Sequence, residues 1–407
     1  MGVLNDNILI GASAAGGYEI DNSLRFNNDD GAYLSRTPST AGNRKTWTYS
    51  IHLKRGEIGG ADDKILLGAG TGNSSDLRIR FTNGNTLNLL SYNGSTYDFN
   101  LTTTQLFRDP SAYMHIIIAF DTSQSTASDR VKIYVNGVVV TALSASTYPN
   151  QNFQGYINST SAHTIGKYSW TNSAYYDGYL AEVNFIDGQA LTPDSFGETG
   201  TYGEWKPIEY AGTYGTNGFY LKFENASSLG NDSAGSNNWT PSNLAATDQM
   251  LDSPTNNFAT WNPLDELLSP TLSEGNLKRS GPINAESRAS MYASSGKWYW
   301  EYIPTTGTLA MLGISLSDAT GNNYNTGEGG YAYYQANGKL FHTSGNSVYG
   351  TQWQATSNLI GVALNLDDNT LTFYLNNVSQ GVVSIVAGSY VPSVNSASGT
   401  VVGVANF

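Results

Sequence analysis

A sugar-binding surface needs aromatic rings for the C–H faces of a pyranose and amide or carboxylate groups for its hydroxyls. One stretch of this sequence supplies both, because Lys167, Tyr168, Ser169, Trp170, Thr171, Asn172, Ser173, Ala174, Tyr175, Tyr176 and Asp177 follow one another in a single expected loop. Tyr168, Trp170, Asn172, Tyr175, Tyr176 and Asp177 are its candidate contacts. The competing role for Trp170 and Tyr176 is to cap the end of a sandwich, since aromatics pack as often as they bind. A second group comprises Tyr324, Tyr331, Tyr333, Tyr334 and Trp353. Alternation along a strand turns Tyr331 and Tyr333 to one buried face and leaves Tyr334 and Trp353 as surface candidates.

Residues that would carry catalysis are dispersed. His52, His115, His163 and His342 include no close pair to ligate a metal or to serve as a nucleophile's base. His115 heads an apolar strand and reads as a hydrogen-bonded structural residue. No glycine-rich loop precedes a helix, so nothing cradles a phosphate. Asp121, Asp129 and Asp177 lie in or beside loops, where calcium would need oxygens converging from several of them. For Asp121 and Asp129 the favoured reading is a turn residue that bonds its own backbone. No cofactor is expected, and calcium is the one ion the loops leave open. The net charge of −13 repels a nucleic-acid backbone. The absence of cysteine excludes a disulfide framework and thiolate metal sites. The first residues lack the basic, then apolar, pattern of a signal peptide, and no run approaches the roughly 20 apolar residues of a membrane span.

The elements that must position these residues are strands. Only 13% of the 407 residues are charged, whereas Gly, Ser, Thr, Asn and Tyr are abundant, a mixture of turn and strand formers. Short alternating runs at 47–53, 64–67, 77–81, 87–92, 115–120 and 131–135 are separated by turn signals, including Asn83-Gly84, Asn93-Gly94 and Asn136-Gly137. From 201 to 269 the pattern weakens around Pro207, Pro241, Pro254 and Pro263, with one strand candidate at 218–223. Trp205, Trp239 and Trp261 are costly to leave solvated, so this stretch reads as an ordered connector. Strand patterning resumes at 298–302 and 309–314 and runs to 401–404. The expected organisation is all-β: a flexible arm over 1–20, an antiparallel β-sandwich over 21–200, the connector over 201–269 and a second sandwich over 270–407.

Tyr134-Val135-Asn136-Gly137, Thr164-Ile165-Gly166, the run from Tyr176 to Val183 and Leu191-Thr192-Pro193 resemble the closing half of laminin-G-like domains of the concanavalin A-like superfamily. The opening, from Ser23 through Arg36 to Thr48, resembles the version of that domain in structural proteins of environmental phages. Gly296-Lys297-Trp298-Tyr299-Trp300-Glu301, Gly338-Lys339, the runs 359–364 and 371–377, and the terminal Val404-Ala405-Asn406-Phe407 resemble a SPRY domain. This second match departs from the pattern at Ser357-Asn358 and at Asn377, both in turns. Glucanases of the first superfamily carry Glu-x-Asp-x-x-Glu on one strand face. The nearest run here, Glu19 to Leu24, ends in Leu24 where the last carboxylate belongs.

The resemblance implies a non-enzymatic bacteriophage virion protein, made in the bacterial cytoplasm and displayed on the particle as a tail fibre or capsid decoration. Host-surface glycans, other virion proteins and further copies of the same chain are the partners it implies. A purely structural decoration and a glycan hydrolase are the alternatives. The apolar patch Ile8, Leu9 and Ile10 in the arm is the candidate virion anchor, its competing role being an edge strand on its own sandwich.

Overall fold

The computed structural model describes residues 17–319, 329–342 and 345–407. Among them the regular elements are strands and a few short 3-10 turns, and the chain divides into two compact units, Met1–Asn257 and Phe258–Phe407. The candidate anchor residues Ile8, Leu9 and Ile10, and Tyr324 of the second aromatic group, lie outside the described residues.

The first unit is built from β1 (Ser23–Phe26), β2 (Tyr33–Arg36), β3 (Thr46–Arg55), β4 (Lys64–Gly72), β5 (Ser75–Phe81), β6 (Thr86–Tyr92), β7 (Tyr97–Leu106), β8 (Met114–Asp121), β9 (Val131–Val135), β10 (Val138–Val139), β11 (Leu143–Thr147), β12 (His163–Ile165) and β13 (Gly178–Asp187). Five further strands follow: β14 (Gly197–Thr199), β15 (Trp205–Pro207), β16 (Phe219–Leu221), β17 (Thr240–Ser242) and β18 (Gln249–Met250). One antiparallel sheet runs β10-β9-β8-β3-β13-β1-β18, with β16 also on β13, and the other runs β11-β7-β6-β5-β4-β12-β2-β17. Because side chains alternate along a strand, Trp47, Tyr49, Ile51 and Leu53 of β3 share one core with Leu77, Ile79 and Phe81 of β5 and with Leu87 and Leu89 of β6. Trp47 stacks on Phe120 at 4.5 Å and 9° within it. The Asn136-Gly137 turn has both residues at positive φ, 47° and 78°, as a two-residue hairpin requires. In the turn before β6 the left-handed residue is instead Asn85, one position past the expected Asn-Gly pair.

The stretch expected as a connector is not a separate segment. Residues 201–257 belong to the first unit, where β16, β17 and β18 extend both sheets. These strands are only two or three residues long, and β17 carries Pro241, so alternation has no room to show in the sequence there. Residues 18–20, expected within the arm, instead pack on the first unit: the Tyr18 hydroxyl donates to Glu182 at 3.0 Å, the Ile20 amide donates to Thr255 at 2.9 Å, and Ile20 is buried.

Residues 188–257 cover the face of β3 turned away from the core, so Thr48, Ser50, His52 and Lys54 are buried as completely as their apolar neighbours. The Leu191 amide donates to the Thr48 hydroxyl at 2.8 Å, and the Trp205 indole donates to Nδ1 of His115 at 2.9 Å. His52 stacks on His115 with ring centroids 3.8 Å apart. Burial holds both imidazoles neutral, His52 down to about 3 and His115 well below its ordinary value, with His52 adding to the effect on His115.

The second unit holds β19 (Trp261–Leu267), β20 (Thr271–Ser273), β21 (Lys278–Gly281), β22 (Glu286–Ala289), β23 (Lys297–Thr306), β24 (Ala310–Leu316), β25 (Tyr331–Tyr334), β26 (Lys339–His342), β27 (Gly345–Val348), β28 (Ile360–Asn365), β29 (Thr370–Leu375), β30 (Val378–Ser384), β31 (Tyr390–Ser396) and β32 (Val401–Asn406). Its sheets run β19-β22-β31-β24-β25-β26-β27 and β20-β21-β32-β23-β28-β29-β30. They enclose Trp261, Trp300, Tyr302, Tyr333, Trp353 and Phe373. Asn376 and Asn377 both take positive φ, so the departure from glycine at 377 leaves the hairpin intact.

The buried histidines set a pH dependence. An unfolded chain protonates His52 near pH 6.5 while the folded chain refuses the proton down to about 3, so stability is lost as pH falls through that window. Replacing His52 by phenylalanine removes this loss. The melting temperature of His52→Phe relative to the parent is expected to become more favourable from pH 7.5 to pH 4.5, read by thermal unfolding at both pH values. A pH-independent difference refutes the assignment.

Candidate functional site

The outward face of the second sheet of the first unit carries a polar row. On β5 the residues between core positions are Asp76, Arg78 and Arg80; register places Arg80 opposite Asn88 and Asp76 opposite Tyr92 on β6. On β7, Thr102 lies opposite Asn88, Asn100 opposite Leu90 and Tyr97 opposite Tyr92. Arg80 Nε donates to Asn88 Oδ1 at 2.9 Å, and Asn88 Nδ2 donates to Asn100 Oδ1 at 2.7 Å and to Thr102 Oγ1 at 2.9 Å. The row therefore crosses three strands as one hydrogen-bonded ladder.

The loop between β12 and β13 folds over one end of it. Gly166 and Ala174 take positive φ, 97° and 58°, and the Tyr176 amide donates to Gly166 O at 2.8 Å, closing the loop at its base. Its tip returns through the Tyr168 amide donating to Ser173 O. The Tyr168 hydroxyl donates to Asp63 at 2.9 Å and accepts from Arg80 at 3.0 Å, while Arg80 also pairs with Asp63. The Arg78 guanidinium lies 5.0 Å from the Tyr168 ring centroid and pairs with Asp76 at 3.0 Å. Trp170 stacks on Tyr168 at 5.3 Å, and Tyr92 and Tyr97 pair at 5.4 Å. Burial pushes the Asp76 carboxyl up, opposed by Arg78, Trp170 and Arg80. Burial likewise raises the Tyr168 hydroxyl, against the two arginines.

The expected loop residues thus divide. Tyr168 and Trp170 are half-buried at the edge of the ladder. Asn172 is exposed, but its Oδ1 accepts from Lys167 Nζ at 3.0 Å. Half-buried Tyr175 packs on Gly31. Tyr176 is a core residue, fully buried with its hydroxyl donating to Lys54 O, and so presents no surface. Asp177 is also buried, accepting from the Asn28 amide. In the second unit Tyr334 is half-buried and packs edge-on against Phe341 at 5.2 Å. Trp353, expected at the surface, is 1% exposed and fills the core; it stands outside any strand, where alternation gives no orientation. Sequence reasoning missed Asp63, Arg78, Arg80, Asn88, Asn100, Thr102, Tyr92 and Tyr97. The signal was available in Leu77-Arg78-Ile79-Arg80-Phe81 and Leu87-Asn88-Leu89, whose polar positions face away from the core.

A nucleophile and base also lie together, since Ser50 Oγ is 2.7 Å from His115 Nε2. Trp205 donates to Nδ1, so the proton of the neutral ring sits on Nε2 and is donated to Ser50. That tautomer cannot take the serine proton, and the pair is buried. Among the described residues no group of three or more His, Cys, Asp or Glu could hold a metal ion.

Residues 26–195 match the family model of the concanavalin A-like lectin/glucanases superfamily, and residues 297–403 match that of the SPRY domain. Among solved structures, the SPRY domain of human HERC1 is 17% identical, covering 36% of this chain and 95% of its own, with a TM-score of 0.32. The TRIM65 PSpry domain is 16% identical over 36% of this chain and 90% of its own, with a TM-score of 0.30. A heptameric SAP-like pentraxin from Limulus polyphemus is 16% identical over 43% and 80%, with a TM-score of 0.31. No curated protein matches the chain.

Asp177 gives a test of the loop's base. Burial raises its carboxyl to about 7, so folding holds a proton that the unfolded chain releases near 4, and stability is lost as pH rises through 7. Asp177→Asn is expected to raise the melting temperature at pH 8, reflecting about 4 kcal/mol of added stability, and to change it little at pH 4. Equal effects at both pH values overturn this account.

Proposed function

From a concanavalin A-like domain followed by a SPRY domain, we propose a non-enzymatic glycan-binding protein of a bacteriophage particle surface, made in the host cytoplasm and assembled with other virion proteins and with copies of itself. The observation that carries the binding role is the outward ladder of the first unit, with Trp170 and Tyr168 at one end and Tyr92 and Tyr97 beside it. Trp170 and Tyr97 offer ring surface, and Tyr97 is 50% exposed. Asn100 and Thr102 offer amide and hydroxyl groups for sugar hydroxyls on strands whose positions the sheet fixes. The virion setting rests on the likeness of the opening stretch from Ser23 to Thr48 to phage structural proteins. The non-catalytic reading is supported by the missing third carboxylate at Leu24 and by the inverted tautomer of His115.

Trp170→Ala is expected to weaken binding to host-surface polysaccharide about tenfold, the equivalent of one stacking contact, without lowering the melting temperature by more than a few degrees. Tyr97→Ala is expected to act in the same direction. The measurement is a glycan array followed by titration calorimetry on the retained sugar. Retention of no glycan by the parent chain, or unchanged affinity in both variants, sinks this reading.

A further inference from the structure

Lys54 lies in the middle of the first sheet, on the covered face of β3, with 1% of its side chain exposed. A lysine there is expensive unless its charge is met or removed. Its Nζ contacts the carboxylate of Asp252, itself buried, and lies 3.1 Å from Oδ1 of Asn257. The rings of Tyr113 and Tyr179 stand over Nζ with centroids at 5.3 Å and 5.0 Å. Both partners are fixed: Asn257 Nδ2 donates to Ser111 O at 2.7 Å, and the Tyr113 hydroxyl donates to the main-chain carbonyl of Asp252, also at 2.7 Å. An amine, a carboxyl and a carboxamide thus converge beneath two aromatic rings.

We propose that Lys54 and Asn257 are joined by an isopeptide bond that forms spontaneously in the folded first unit, with Asp252 as the proton relay. The low-dielectric site favours transfer of the ammonium proton to the Asp252 carboxylate, leaving a neutral amine and a neutral acid. Burial lowers the Lys54 amine, against the charge of Asp252 and its hydrogen bond. The Nζ lone pair attacks Cγ of Asn257 and the carbonyl electrons move to Oδ1. The proton that Nζ then carries in excess passes through the Asp252 carboxyl to Nδ2, the carbonyl reforms, and the Cγ–Nδ2 bond breaks. Amine and carboxamide become a secondary amide and ammonia, with no oxidant and no change in charge. Asn257 is the acceptor and Asp252 the relay because the proton leaving Nζ needs a carboxyl to pass through on its way to Nδ2, a role Asp252 holds through its contact with Nζ. Holding the reacting groups in contact supplies the proximity that the reaction lacks in solution.

The test is the intact mass of the purified full-length chain under denaturing conditions, followed by protease digestion. The mass is expected to fall short of the sequence mass by one ammonia, and the digest to contain a branched peptide joining Lys54 to Asn257. Asn257→Ala and Lys54→Met are each expected to run at their unaltered sequence mass. A parent chain at its full sequence mass overturns the proposal, whether or not the variants fold. Loss of one water with the branch at Asp252 overturns it too, as does loss of ammonia with no branched peptide.

Discussion

Covering the second face of the first sheet by residues 188–257 is the constraint on which the rest of the first unit depends. A two-sheet sandwich needs only its facing surfaces to be apolar, yet here the opposite face of β3 is buried as well while keeping Thr48, Ser50, His52 and Lys54. Each of these must be neutralised or bonded. Thr48 meets the backbone of 188–191, Ser50 meets His115, Lys54 meets Asp252, and His52 gives up its charge. The covering segment is therefore held by polar complementarity as much as by the small apolar cluster of Ile117, Ile186 and Phe196. It also decides where a ligand finds access. With one sheet covered, the outer face of β5, β6 and β7 is reached at half-buried Arg80, Asn100 and Thr102 and at exposed Tyr97, while Asp76, Arg78 and Asn88 are buried beneath.

That surface is charged but balanced, because Asp63 and Asp76 stand against Arg80 and Arg78. In a chain with a net charge of −13 this local cancellation is notable. A ladder of paired charges, amides and hydroxyls suits a hydroxyl-rich ligand better than a phosphate or a polyanion, since the arginines are matched by Asp63 and Asp76 and Asp98 on β7 adds a negative charge. The pairs also hold Tyr168 in place, and through it the ring of Trp170, so the aromatic edge does not rest on a free loop.

Much of the fold was legible in the sequence, because alternation in 47–53, 77–81 and 115–120 and the Asn136-Gly137 turn are local signals with local causes. The covering segment was not, since its strands are two or three residues long and acquire meaning only by pairing with β13, β2 and β1. The site was half legible. Tyr168 and Trp170 stood out as neighbours in sequence, whereas Arg80, Asn88, Asn100 and Thr102 become neighbours only through register. Tyr176, Asp177 and Trp353 misled for a related reason: outside a strand, composition says what a side chain can do but not which way it points.

Asn257 is the last residue of the first unit, and the chain runs on from it into the second. Its attachment to Lys54 gives this junction a mechanical character. Tension drawn along the chain from beyond Asn257 is delivered to β3, which is flanked by β8 on one side and β13 on the other. A load entering at an outer strand would unzip the sheet one hydrogen bond at a time. A load entering at β3 sets the strand in shear against both neighbours, so their bonds resist together. The first unit is thereby built as an anchor point, able to pass a pull from one half of the molecule into its own most deeply embedded strand.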